Sequence, residues 1–135
     1  MTRPAGSHLA LFALFAVAGS AHLLRPAPFD AIMPGWVPYP RAATLISGVA
    51  EIAGGVGLLF QATRRAASWG LLGLLLAVFP ANLNMALSPE RYGLPPWALW
   101  ARLPLQPLLM GWVWRTGQDR KRPTLPAQAQ PDPRS

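Results

Sequence analysis

With 135 residues, 52% of them hydrophobic and only 13% charged, the chain fits a single domain and falls well short of the roughly 25% charge of an ordinary soluble one. It has no cysteine, which excludes thiol–disulfide chemistry and a thiolate metal site, and its two histidines, His8 and His22, lie too far apart in sequence to suggest a metal cluster. The net charge of +7 sits at the ends and loops of apolar runs, so it reads as a membrane-topology signal and argues against nucleic-acid binding.

The first apolar run covers residues 7–24, near the ~17–25 residues that cross a bilayer as a helix. A cleaved signal peptide is the alternative: Arg3 is a short basic start, residues 9–18 an apolar middle, and Gly19-Ser20-Ala21 a small-residue exit. Cleavage would leave three spans and discard the surroundings of His22, so the run is taken as a span. Residues 25–41 then hold Pro26, Pro28, Pro34, Pro38 and Pro40. Proline lacks an N–H donor and disfavours helix at the residue before it, which predicts a connector that is neither helix nor sheet interior. Phe29, Ile32, Met33, Trp36, Val37 and Tyr39 make it amphipathic, suited to covering a bundle end or lying in the headgroup layer.

The second run, residues 42–60, is glycine-rich and carries Glu51 at its centre. A charge at mid-bilayer costs roughly 2.5–3.5 kcal/mol on insertion scales, so Glu51 is expected to face other helices and a partner. Ala50/Gly54 and Ala53/Gly57 are small-xxx-small pairs that let helices approach closely. The short basic link 61–65 predicts an antiparallel hairpin into the third run, residues 66–87. Pro80 in that run removes a backbone donor, and Asn82 or Asn84 is expected to satisfy a carbonyl freed nearby.

A turn region with Pro89, Gly93, Pro95 and Pro96 leads to the fourth run, residues 97–114. It carries Arg102 and Gln106, four apart and so on one helix face, with Pro104 and Pro107 expected to break the helix beside them. Residues 115–135 are polar and proline-rich and are expected to form a disordered cytoplasmic tail.

With four spans both termini share a side. That side carries Arg3, Arg64, Arg65, Arg115 and the tail cations, whereas Arg25, Arg41 and Arg91 lie opposite. The positive-inside rule therefore puts both termini in the cytoplasm, and the tryptophans fall near both boundaries. Helical rise places Glu51 and Gln106 about 13 Å below the outer boundary, and Arg102 and Asn82 about 7 Å below it. His22 falls at the outer mouth. The inner half, rich in leucine, reads as plain packing.

Two uses of these polar groups stay open. One is a structural clamp in which Glu51 pairs with Arg102 while Asn82, Asn84 and Gln106 absorb remaining hydrogen bonds. The other is a ligand site with Glu51 as proton acceptor and Arg102 as ligand to an anion or carbonyl. His22 could exchange protons at the mouth, or simply bond a loop carbonyl.

Several motifs, in order, resemble the DoxX-like family of small bacterial membrane proteins. They are His22 with Pro26, Phe29, Ile32 and Pro34; Ser47-Gly48, Glu51-Ile52 and Gly54-Gly55; Thr63-Arg64-Arg65; Phe79-Pro80-Ala81-Asn82 with Met85-Ala86; and Leu99-Trp100 with Arg102 to Gln106. The resemblance implies an all-α, four-helix bundle spanning the bacterial cytoplasmic (inner) membrane, with a proline-rich outer loop. It does not imply one activity. The family takes its name from a subunit of a thiosulfate:quinone oxidoreductase, and distant animal relatives assist receptor assembly.

The leading expectation is an accessory subunit of a quinone-linked membrane redox complex, not a stand-alone enzyme. Its polar site would comprise Glu51, Arg102, Asn82, Gln106 and His22, with no metal and no cofactor beyond a quinone. Its partners would be the lipid bilayer, a redox protein and a further copy of the chain, without nucleic acid. A non-enzymatic scaffold or assembly factor is the second expectation, and a small transporter, which would need oligomers to form a pore, the third.

Overall fold

The computed structural model describes residues 5–119, which form helices and turns without a strand. The five α-helices are α1 (Gly6–Leu24), α2 (Pro26–Ala31), α3 (Pro40–Leu59), α4 (Arg64–Leu87) and α5 (Pro96–Gln118), with a 3-10 turn at Pro89–Arg91. Three of them, α1, α3 and α4, are long and apolar enough to cross a membrane. The expected tail beyond residue 119, and the cations Arg3, Arg120, Lys121, Arg122 and Arg134, lie outside the described residues.

The connector contains a helix where none was expected. Pro26 and Pro28 stand in the first turn of α2, where backbone N–H groups have no intrahelical acceptor and the fixed φ of proline favours helix. Pro40 likewise opens α3, after Tyr39 turns the chain at φ 52°. The break expected at Pro104 and Pro107 does not occur: α5 runs through both and continues to Gln118, past the expected boundary at 114.

The α3–α4 hairpin is closed by side chains. The Thr63 hydroxyl donates to the Gly57 carbonyl at 2.8 Å, and Arg64 Nε donates to the Leu58 carbonyl at 2.9 Å. Both carbonyls belong to the last turn of α3, which the helix itself leaves without donors.

Helix α3 lies between α1 and α4, α5 packs on α4, and α1 and α5 barely touch. The α1–α3 crossing depends on two glycines. A Cβ on Gly19 would sit 2.5 Å from the Gly48 carbonyl oxygen, and one on Gly48 would sit 2.8 Å from the Gly19 oxygen. Only bare backbone permits that approach. The pairing differs in detail from the expected small-residue pairs, because Gly48 and Gly55 face α1 whereas Gly54 and Gly57 face Leu71 and Ala67 of α4.

Leu11, Phe15, Leu58, Leu71, Leu75 and Val113 form the main core, at the hairpin end of the bundle. A smaller cluster of Met85, Ala86 and Leu99 lies under the connector, with Ile32 packed on it. Large apolar side chains such as Val17 (71% exposed), Ile46 and Leu76 point outward. Such a surface is compatible with contact with a lipid bilayer.

Candidate functional site

Between the main core and the connector lies a cavity of about 590 Å³. All five residues singled out from sequence line it: His22 from α1, Glu51 from α3, Asn82 from α4, and Arg102 and Gln106 from α5. The helical period explains the convergence. The buried stripe of α3 runs Thr44, Gly48, Glu51, Gly55, Leu58, so Glu51 falls on the face turned to the other helices. Gly48 draws α1 in one turn away from Glu51, and His22 follows Gly19 by one turn on α1.

The partner of Glu51 is not the one expected. Glu51 Oε2 lies 3.2 Å from His22 Nδ1, and no Glu51–Arg102 ion pair forms among the described residues. The contact is close but poorly aligned, so both atoms remain buried without a formed hydrogen bond. Burying polar atoms in that condition is unfavourable unless something else satisfies them. His22 also does not bond a loop carbonyl. Its ring meets Phe29 edge-on, with centroids 4.0 Å apart, which turns Nδ1 toward α3.

Arg102 is exposed along the cavity, and its polar contact is a weak one to Met85 Sδ at 3.9 Å. Asn82 Nδ2 donates to Gln106 Oε1 at 2.9 Å, and Gln106 Nε2 donates in turn to the Leu75 carbonyl. Thus Gln106 from α5, and neither asparagine, serves a carbonyl next to the proline-disrupted turn of α4. Asn84 points elsewhere, donating to the Ile32 carbonyl at 3.2 Å, and Tyr92 donates to the Ala31 carbonyl. These bonds fasten the connector over the cavity, where Phe29, Ile32 and Met33 form a roof.

In the connector, Asp30 joins Arg41, in the first turn of α3, at 2.6 Å. The facing Thr44 hydroxyl, with the Arg41 guanidinium, holds the Asp30 carboxyl below the usual aspartate range.

Two features escaped sequence reasoning. Thr44 is fully buried, lines the cavity and turns its hydroxyl toward Asp30. Its spacing from Glu51, seven residues and so two turns, was the signal that could have found it. The hairpin end is also not plain packing: buried His8 approaches Asp119 Oδ2 at 3.8 Å, and the Ser68 hydroxyl donates to the Val113 carbonyl at 3.0 Å.

Chemically, the cavity offers a carboxyl and an imidazole at its buried wall, a guanidinium at its edge, and apolar side chains between. The chain belongs to the family described as Domain of unknown function (DUF8561), which its residues 11–117 match, a range that includes all five of these residues. No curated protein and no solved structure gives a significant match.

Proposed function

We propose that this DUF8561 protein is a DoxX-like, four-span membrane protein whose cavity holds the headgroup of a quinone for a partner redox complex. In this reading α5 is the fourth span. Its 23 residues are long enough, and its polar groups Arg102 and Gln106 face the cavity. The positive-inside rule then puts both termini in the cytoplasm of a bacterial inner membrane and the connector outside.

One observation carries the reading. Glu51 is 9% exposed in a largely apolar cavity, and its carboxyl is left with the misaligned His22 as its nearest polar partner. An intramembrane carboxyl that is not clamped by a cation is available to a ligand. A quinone offers carbonyl oxygens that accept hydrogen bonds and, once reduced, hydroxyls that donate them. Arg102 would donate to an oxygen at the cavity edge. Glu51 Oε2 and His22 Nδ1 would hold or accept a proton at the buried end. In this reading a partner protein supplies the electron-carrying centre, since the given sequence has no cysteine to ligate an iron–sulfur cluster.

The transporter alternative is less well supported, because the core of Leu11, Phe15, Leu58, Leu71, Leu75 and Val113 fills the bundle beyond the cavity. The scaffold alternative differs in what the polar groups do. The test is purification from native membranes in mild detergent, with bound quinones, lipids and proteins identified by mass spectrometry. Wild type is compared with a Glu51→Gln/Arg102→Gln variant of confirmed fold. Quinone retained by wild type and lost from the variant is the expected result. Identical retention, or no quinone in either, overturns the reading in favour of a scaffold.

A further inference from the structure

We infer that the seam between α1 and α5 is a lateral gate, and that the ligand is a membrane-dissolved amphiphile whose long apolar chain lies along that seam. The inference rests on the reading of the cavity as a headgroup site, and it adds how the ligand reaches the site and what chemistry its other end has.

The other routes into the cavity are covered. At the connector end, Phe29, Ile32 and Met33 roof it, and the connector is fastened by Asn84, Tyr92 and the Asp30–Arg41 ion pair. At the hairpin end the apolar core closes it. The α1–α5 side is different, because these two helices scarcely pack on each other. Leu14 of α1 and Leu105 and Leu108 of α5 line the cavity, yet they are 43%, 59% and 69% exposed. Residues that are both lining and exposed mark a rim, so the cavity opens between them toward the lipid-compatible surface.

A second cavity, of about 560 Å³, continues the same seam. It shares Leu108 and Trp112 with the first, adds Pro107 and Gly111 as an apolar near half that would hold the chain, and turns polar at its far end, where Ser7, Arg115, Thr116 and Asp119 line it. From Gln106 to Trp112 the apolar part of the seam runs roughly 9 Å along α5 at the helical rise. Gly111 leaves open space there, with no neighbouring atom that an added Cβ would meet. The arrangement therefore has a buried polar end at Glu51 and His22, an apolar opening, and a trough leading away from it. A headgroup with a long hydrocarbon or polyprenyl chain matches all three parts, whereas a small soluble solute uses only the first.

The absence of cysteine makes the gate directly testable. A Leu14→Cys/Leu108→Cys protein, reconstituted in vesicles, is cross-linked while empty with a short bis(methanethiosulfonate) reagent, which forms a reducible disulfide at each cysteine and releases methanesulfinate. Uptake of a long-chain quinone from the bilayer is then followed before and after the link is reduced, so each protein is its own control. The expected result is at least tenfold slower uptake in the linked state, restored on reduction, and trapping when the link is made after loading. Equal uptake in the two states overturns the gate while leaving the headgroup site standing. If wild type binds a chainless quinone as well as a long-chain one, the trough reading falls. Failure of wild type to bind either quinone removes the headgroup reading and the gate with it. Cross-linking of the Leu108→Cys thiol to a co-purifying protein instead of to α1 would make the seam a helix-docking face and overturn the proposal.

Discussion

The same chemical change, glycine to alanine, should have opposite effects at two places in this protein. At Gly48 the new Cβ would lie 2.8 Å from both the Gly19 carbonyl oxygen and the His22 Cβ. Reaching ordinary contact, which begins at 3.4 Å, requires α1 and α3 to separate by 0.6 Å. The obstructing atoms are backbone and Cβ, so no rotamer change relieves the clash. Overpacking of this kind costs about 1–3 kcal/mol. At Gly70 an added Cβ meets nothing within 4 Å, so Gly70→Ala should gain about 0.5–1 kcal/mol from helix propensity alone. The two variants should therefore differ by about 1.5–4 kcal/mol, a factor of some 10 to 1,000 in the folding equilibrium. Reversible unfolding in mixed micelles, followed by circular dichroism, measures both. A Gly48→Ala protein as stable as wild type would refute the close crossing. The separation also acts on the site, because Gly48 lies one turn from Glu51. The His22–Glu51 distance of 3.2 Å should widen, and ligand retention should fall in Gly48→Ala but not in Gly70→Ala.

Other perturbations separate the polar groups by role. Gln106→Ala removes the partner of both the Asn82 amide and the Leu75 carbonyl and should cost about 1–3 kcal/mol, whereas Asn82→Ala leaves the Leu75 contact and should cost less in the same assay. Equal losses would count against the Gln106 bridge. Arg102→Gln should reduce stability by no more than about 0.5 kcal/mol, since no ion pair is lost; a loss of about 3–5 kcal/mol would instead indicate a clamped buried charge pair. Asp30 predicts an acid response of the connector. Its folded value lies below the ordinary 3.8, so its contribution is complete above that pH and is lost as pH falls through the folded value. Protection of the residue 26–39 amides against hydrogen exchange, taken relative to the intrinsic rate at each pH, should hold from pH 7 to 4 and fall below. Asp30→Asn should be less protected throughout, and an unchanged acid response in that variant would rule the carboxyl out.

Much of the fold was legible because apolar runs and helix length are one-dimensional facts. The first three runs, residues 7–24, 42–60 and 66–87, differ from α1, α3 and α4 by two residues or fewer at either end. Where the sequence reading erred, proline was the reason. In the connector and at Pro104 and Pro107 proline was treated as a breaker, yet its cost depends on position. In the first turn of α2 it removes donors the helix does not use, and inside α5 the flanking turns carry the helix past Pro104 and Pro107.

For the site, depth along each helix was readable and rotation about each helix was only partly so. Rise per residue put Glu51 and Gln106 at one level and His22 near the connector, and all five candidates do meet in one cavity. The Glu51–Arg102 pair was inferred only from opposite charges lying within apolar runs. What decides the pairing is that α5 packs on α4 and leaves α1 almost untouched, which carries Arg102 to the edge of the cavity instead of across it. Meanwhile two glycines, Gly19 and Gly48, bring α1 so close to α3 that His22 reaches Glu51 first. Those glycines were visible as small residues, but Gly19 was weighed only within the signal-peptide alternative that was set aside. Its neighbour across the interface could be known only once the helices were placed. The loose seam and the misdirected pair thus have one structural origin: the tight α1–α3 contact selects histidine as the partner of Glu51, and α1 and α5, which meet mainly at the hairpin end, leave Arg102 free at the opening.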